Sequence, residues 1–74
     1  MERRQVTPRQ DGHWQIRNPA RDQVSVVVPT EEDAVQRAIR VLRSAGGGEL
    51  NVHRADGDVS FSQRIIADAV REAA

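Results

Sequence analysis

The sequence contains no cysteine and no tyrosine, and Trp14 and Phe61 are its only aromatic residues. Without cysteine, no disulfide can supplement the core and no thiol is available as a nucleophile. The sequence has no run of about 18 apolar residues, and its first residues lead into no apolar segment of the kind found in signal peptides. We therefore expect an intracellular, cytoplasmic protein that does not bind a membrane.

An excess of charge of either sign is also missing, as is lysine. Eleven arginines balance eleven acidic residues, which gives a formal net charge of zero. A molecule without a net positive field offers no general attraction for nucleic acid. Any such binding would therefore need a local cluster of arginines.

The length of 74 residues allows one domain, because so short a chain cannot divide its apolar residues between two cores. We expect residues 1–74 to form this domain, with a core over about 4–61 and a C-terminal helix over about 62–73. A single core of this size supplies only roughly 3–5 kcal/mol of stability. Burial against a partner chain would therefore add usefully to it.

Alternating patterns before residue 29 predict three strands joined by two hairpins. Residues 3–8 are polar around one apolar anchor, Val6, and end in a proline, which indicates an edge strand. In the second strand, over residues 13–17, Trp14 and Ile16 are expected to share the buried face. A valine-rich third strand covers residues 23–28, since β-branched side chains pack well on a pleated sheet.

A helix is predicted to begin after Thr30, whose hydroxyl suits the N-cap position, with three acidic residues in the first turn. Its apolar residues recur at helical spacing, which predicts one buried face; they are Val35, Ala38, Ile39 and Leu42, with Ala34 and Ala45 at the margin. The opposite face carries Asp33, Gln36, Arg37, Arg40 and Arg43, and we expect Asp33 and Arg37 to form an ion pair. Glycines 46–48 end the helix, at least one of them in the left-handed conformation.

Two further strands are predicted at residues 49–54 and 59–61, joined by a hairpin at Asp56 and Gly57. The expected fold class is α+β, an antiparallel sheet of about five strands in the order β-β-β-α-β-β with one helix packed on it. After the last strand, Ile65, Ile66, Ala69 and Val70 are spaced as on one face of an amphipathic helix.

The same order of signals resembles a family of small bacterial proteins, domain of unknown function 2188, across residues 4–65. The resemblance is carried by Trp14, by Thr30 with the acidic residues that follow it, by residues 47–53 and by Asp56 with Gly57. These are caps, turns and core positions, so the resemblance implies a fold without implying a reaction. The sequence departs from the family in its C-terminal amphipathic segment. The helix opening at residues 30–34 is also similar to that of the antitoxin half of HicA/HicB-type toxin–antitoxin pairs.

No group of residues has the spacing of a catalytic or metal-binding motif, so we predict no catalytic residue, no cofactor and no enzyme activity. His13 and His53 lack a short metal-ligand spacing, and solvent-facing strand positions are the preferred interpretation of both. The Asp56–Asp58 segment lacks the later ligands of a calcium loop and is interpreted as a hairpin turn.

Two surfaces remain as candidate sites. Self-association or binding of another protein would use Ile65, Ile66, Ala69 and Val70, and phosphate or nucleic-acid contact would use Arg37, Arg40 and Arg43. We therefore predict a non-catalytic protein-interaction or assembly module, in its simplest form a homodimer. The alternative is a nucleic-acid-associated regulator or an antitoxin-like protein that uses the arginine-rich helix face.

Overall fold

The computed structural model describes residues 2–21 and 23–68, which form a five-stranded mixed sheet and one helix. The elements follow the order β-β-β-α-β-β, as predicted. Their bounds are β1 Glu2–Pro8, β2 Trp14–Asn18, β3 Gln23–Val28, α1 Glu31–Ser44, β4 Gly47–His53 and β5 Val59–Ile66. The α+β class is therefore confirmed.

The strands lie in the order β3-β2-β1-β4-β5, and β1 pairs with β4 in parallel. The prediction of an entirely antiparallel sheet is therefore wrong. Parallel neighbours need a crossover, usually a helix, and α1 provides it by carrying the chain from β3 across the sheet to β4.

The first strand is central, and its prediction as an edge strand is also wrong. Pro8 misled that interpretation, because a proline removes a ladder donor and is normally confined to edges or strand ends. Here Pro8 is the last residue of β1, and the pairing with β4 runs only from Glu2 to Val6. The missing donor therefore lies beyond the parallel ladder.

Helix α1 packs on one face of the sheet, chiefly over β1 and β4. Its buried residues are Ala34, Ala38 and Leu42, and Val35 and Ile39 are half-buried against the core, which confirms the predicted buried face. The largest fully buried side chains are Ile16, Leu42, Leu50, Val6 and Val52. The centre of the sheet and one stripe of the helix thus make the core.

The ends of α1 follow local chemistry. The Thr30 hydroxyl accepts a hydrogen bond from the backbone N–H of Asp33 at 3.1 Å, which satisfies one of the free donors of the first turn. After the helix, Gly46 and Gly47 have φ values of 100° and 93°, a region that side chains strongly disfavour. The predicted cap and the predicted left-handed glycine are both confirmed.

The predicted helix from residue 62 is wrong over residues 62–66, which belong to β5. This strand pairs with β4 from Val59 opposite His53 to Ile66 opposite Gly47. Ile65 is 5% exposed and Ile66 80% exposed, the alternation of a strand. The backbone of β4 needs ladder partners along its length, and this requirement prevails over the local helical pattern. Residues 69–73 of the predicted helix lie outside the described residues.

The central part of the sheet face away from α1 is polar. Because successive strand residues point to opposite faces, the neighbours of buried Val6 and Val52 point away from the helix. The half-buried side chains on that face include Gln5, Thr7, Gln15, Asn51 and His53. Nearer the two edges, Val27 and Ile66 are exposed on the same face.

A substitution at Gly48 tests the close contact between β1 and β4. A Cβ at this position would clash with the carbonyl oxygen of Glu2 and lie 2.9 Å from Cδ2 of Leu42. We expect Gly48→Ala to lower the free energy of unfolding by about 1–3 kcal/mol, as overpacking does, measured by urea denaturation. Ser44→Ala, at the exposed end of α1, is the control and should change it by less than about 0.5 kcal/mol. An unchanged urea midpoint for Gly48→Ala would contradict the close contact.

Thr30→Ala should lower the free energy of unfolding by about 1 kcal/mol, because the N–H of Asp33 loses its acceptor. Thr30→Ser keeps a hydroxyl at the same place and should stay close to the wild type in the same urea titration. Equal destabilisation by both substitutions would show that the threonine methyl group, and not the hydrogen bond, stabilises the helix start.

Candidate interaction surfaces

Strand β5 is an edge strand whose side chains are largely uncovered. Seven of its eight residues are exposed, and three of them are large and apolar: Val59 is 47% exposed, Phe61 42% and Ile66 80%. Among the described residues, no strand lies next to one edge of β5. Unpaired backbone groups at such an edge are a template for another strand. The combination of a free edge and exposed apolar side chains makes β5 a candidate protein-binding surface.

The position of α1 explains why β5 is exposed. The helix lies chiefly over β1 and β4 and touches β5 much less. Ile65 reaches the core, at 5% exposure, whereas Phe61 lies at the other end of the strand and remains 42% exposed. One end of the strand therefore packs against the core, and the other end is exposed to solvent.

The opposite edge, β3, is less suited to strand addition. It has six residues, two fewer than β5, and Pro29 follows it directly. Short length and proline are features that protect edge strands, whereas a register shift with the neighbouring strand is found at both edges. Among the side chains of β3 that the structure describes, Val27 is exposed, at 45%. Of the two edges, β5 is the one that a partner strand can follow for longer.

Of the residues predicted for self-association, the two that the structure describes do not share a surface. Ile65 lies in the core, and Ile66 projects to the opposite side of β5. Ala69 and Val70 lie outside the described residues. The sequence interpretation also missed Val59 and Phe61 as surface residues, because it ended the fifth strand too early. The alternation of polar and apolar residues over 59–65 was the available signal.

The three arginines predicted to contact phosphates share the exposed side of α1. Arg37, Arg40 and Arg43 are all exposed, and none of them belongs to an ion pair within the described residues. The predicted pair between Asp33 and Arg37 is therefore not formed. Solvation of both charges at an exposed site makes such a pair worth little, which accounts for its absence.

These arginines line two different pockets. Arg37 and Arg40 line a pocket of about 150 Å³ on the side of α1 that faces β2 and β3. Arg40 also lines a second pocket of about 360 Å³, together with Arg43 and Asp68. The arginine row is thus continuous along the helix but opens into two different environments.

Arg4 also lines the smaller pocket. Its side chain is 12% exposed and lies 2.8 Å from a carboxylate oxygen of Glu2. The hydrogen bond and the positive charge of Arg4 hold the pKa of the Glu2 carboxyl below its usual value. Glu2 therefore stays ionised at neutral pH and keeps Arg4 in place on β1.

The two histidines lie at separate places. His13 is exposed and its Nδ1 is 3.4 Å from a carboxylate oxygen of Asp11. His53 is half-buried, with Nδ1 3.2 Å from the carbonyl oxygen of Gly57, so its prediction as a solvent-facing residue holds only in part. Within residues 2–21 and 23–68, no three histidine, aspartate or glutamate side chains gather as metal ligands do.

The segment from Asp56 to Asp58 connects β4 to β5. The Asp56 carboxylate accepts a hydrogen bond from the backbone N–H of Asp58 at 3.0 Å, and Gly57 has a φ of 95°. The segment is therefore a hairpin turn, as predicted.

Over the described residues, α1 is too short and too polar to cross a membrane.

Comparison with known proteins places this architecture in a family. The family model for an uncharacterized protein conserved in bacteria, domain of unknown function 2188, matches residues 4–64, which include most of every strand and all of α1. Neither the curated proteins nor the solved structures contain a match to this chain. The chain belongs to the domain of unknown function 2188 family.

Proposed function

We propose that this protein is a non-catalytic assembly module of the bacterial cytoplasm, and that it binds a second copy of itself by pairing β5 with β5. The observation that supports this proposal is the edge of β5 that no strand of the described part of the chain covers; β5 is eight residues long and exposed at seven of them. Strand addition at a sheet edge gives affinity through main-chain hydrogen bonds and specificity through alternate side chains.

An antiparallel pairing of two β5 strands centred on Gln63 places compatible side chains opposite each other. Residues equally far from Gln63 in the two copies then face each other, so Phe61 lies opposite Ile65 and Ser62 opposite Arg64. The exposed ring of Phe61 gains an apolar neighbour, and Arg64 does not face its own copy. Cross-strand apolar pairs stabilise a sheet, whereas like charges directly opposite destabilise it.

The pairing also fits the symmetry of small oligomers. A two-fold axis at Gln63 uses one surface twice, which is the commonest arrangement in homodimers. It joins two five-stranded sheets into one of ten strands, with both helices on the same face. A core built from one helix and one sheet face gains stability when such a partner binds the folded state.

Oppositely charged substitutions at Gln63 test both the dimer and its register. Gln63 is exposed, so a charge there leaves the monomer core intact. We expect Gln63→Lys and Gln63→Glu each to weaken dimerisation by up to about fivefold, measured by sedimentation equilibrium, because like charges meet at the axis. An equimolar mixture of the two variants should dimerise more tightly than either alone.

Val27→Lys, on the other edge strand, is the matched control and should dimerise as the wild type does. A wild-type protein that stays monomeric at millimolar concentration would refute the second copy as partner. A dimer whose variants show no gain on mixing would refute the register centred on Gln63.

Nucleic-acid association remains the second candidate, in the form of a regulator or an antitoxin-like protein. It is favoured by the three exposed arginines of α1, which make no ion pair in the described part of the chain. It ranks second because bases stack on exposed aromatic rings. Trp14 packs against the core, and the exposed Phe61 lies on β5 and not on α1 with the three arginines. The net charge of zero adds no long-range attraction.

Salt dependence tests this second candidate. If Arg37, Arg40 and Arg43 each neutralise a phosphate of duplex DNA, the logarithm of the affinity should fall with the logarithm of salt at a slope of about −2.7. The triple substitution to glutamine should remove the binding, while Arg54→Gln, in the β4–β5 turn, serves as control. If no oligonucleotide binds at low salt, direct phosphate contact is refuted.

A further inference from the structure

The helix leaves part of its own side of the sheet uncovered. Because α1 lies chiefly over β1 and β4, a groove remains between the helix and strands β2 and β3. A pocket of about 150 Å³ lies in this groove, and the described residues that line it are Arg4, Ile16, Val26, Arg37, Arg40 and Val41. These residues fall into an apolar group and a guanidinium group.

The apolar group consists of Ile16, Val26 and Val41. Ile16 is buried, Val26 is half-buried against the core, and Val41 is 41% exposed, so the pocket passes from the core to the surface. An apolar cavity of about 150 Å³ accommodates a group of the size of benzene, whereas pockets for small-molecule ligands start at about 300 Å³. The volume thus suits one aliphatic side chain better than a cofactor.

The guanidinium group consists of Arg4, Arg37 and Arg40. No acidic residue is among the described residues that line the pocket, and Arg37 and Arg40 make no ion pair within the described part of the chain. Arg4 uses Nη1 for Glu2 and for the carbonyl of Arg3. A guanidinium carries five N–H donors arranged to match a carboxylate. The lining of the pocket therefore combines apolar residues with arginines whose guanidinium groups can bind a carboxylate.

We propose that this groove binds an acidic–aliphatic peptide segment of a partner protein, with an aliphatic side chain in the pocket and a neighbouring carboxylate on Arg37 and Arg40. Charge complementarity selects the acidic residue, and the apolar contacts select the aliphatic one. A nucleic-acid backbone would meet the arginines but leave Ile16, Val26 and Val41 without an apolar partner. The groove is next to β3, at the opposite edge from β5, so the binding does not depend on the dimer.

The test uses the full-length protein with ¹³C-labelled isoleucine and valine methyl groups and a capped peptide of alternating leucine and glutamate. We expect peptide-dependent shifts of the methyl signals of Ile16, Val26 and Val41. Val59, at the far edge of the sheet, should not shift. A matched peptide with glutamine in place of glutamate should bind about tenfold more weakly, as expected for the loss of a charge-assisted hydrogen bond.

Two variants on the same helix separate the groove from general electrostatics. Arg40→Gln should weaken binding of the glutamate peptide by about tenfold. Arg43→Gln removes the same charge from a residue that does not line this pocket and should change the affinity by less than about twofold.

Three results would overturn the proposal. The first is that millimolar peptide shifts none of the three methyl signals. The second is an equal loss of affinity for Arg43→Gln and Arg40→Gln. The third is that a single-stranded DNA 20-mer shifts the same methyl signals at lower concentration than the peptide does, which would assign the groove to phosphates.

Discussion

The close contact between β1 and β4 under Leu42 is the constraint on which the remaining structure depends. At Gly48 the backbones of the two strands and the side chain of Leu42 meet so tightly that no Cβ can be accommodated. This contact joins the N-terminal hairpins to the C-terminal hairpin, which share no turn. Because the two strands run parallel, a helix must connect the halves, and that helix covers the junction.

The position of the junction determines which parts of the sheet are protected. The single helix, of 14 residues, lies over β1 and β4 and does not cover all five strands. It leaves β5 exposed on one side and a groove over β2 and β3 on the other. Burial is complete beneath the helix, at Val6, Leu50 and Val52. The two candidate binding surfaces are consequences of this placement, and they lie at opposite edges of the sheet.

The two surfaces also differ in chemistry. Strand β5 offers backbone donors and acceptors with apolar side chains and a single charge, Arg64, which suits a second strand. The groove offers Arg4, Arg37 and Arg40 around an apolar interior, which suits an acidic segment. Under the two proposals, one surface would bind a second copy and the other a segment of a different chain.

Local chemistry made part of the fold predictable from the sequence. The Thr30 cap, the turn at Gly57 and the buried stripe of α1 each depend on residues close in the chain, and all three are confirmed. The antiparallel pairing predicted for the whole sheet and the helix predicted over residues 62–66 are both wrong. The true pairing of β1 and of residues 62–66 depends on residues far apart in the chain. The candidate site shows the same division: the exposure of Arg37 followed from helical spacing, but its pocket with Arg4 did not.

The sequence alone therefore determined the order of the elements up to β5, the start of α1 and the hairpin turn at Gly57, since caps, turns and apolar periodicity act within a few residues. Only the tertiary structure decided which strand occupies the centre, which edge stays open and which arginines share a pocket. The physical reason is that backbone ladders satisfy their hydrogen bonds with whichever strand is adjacent. Adjacency depends on how the helix packs over the junction at Gly48, and no local pattern encodes that.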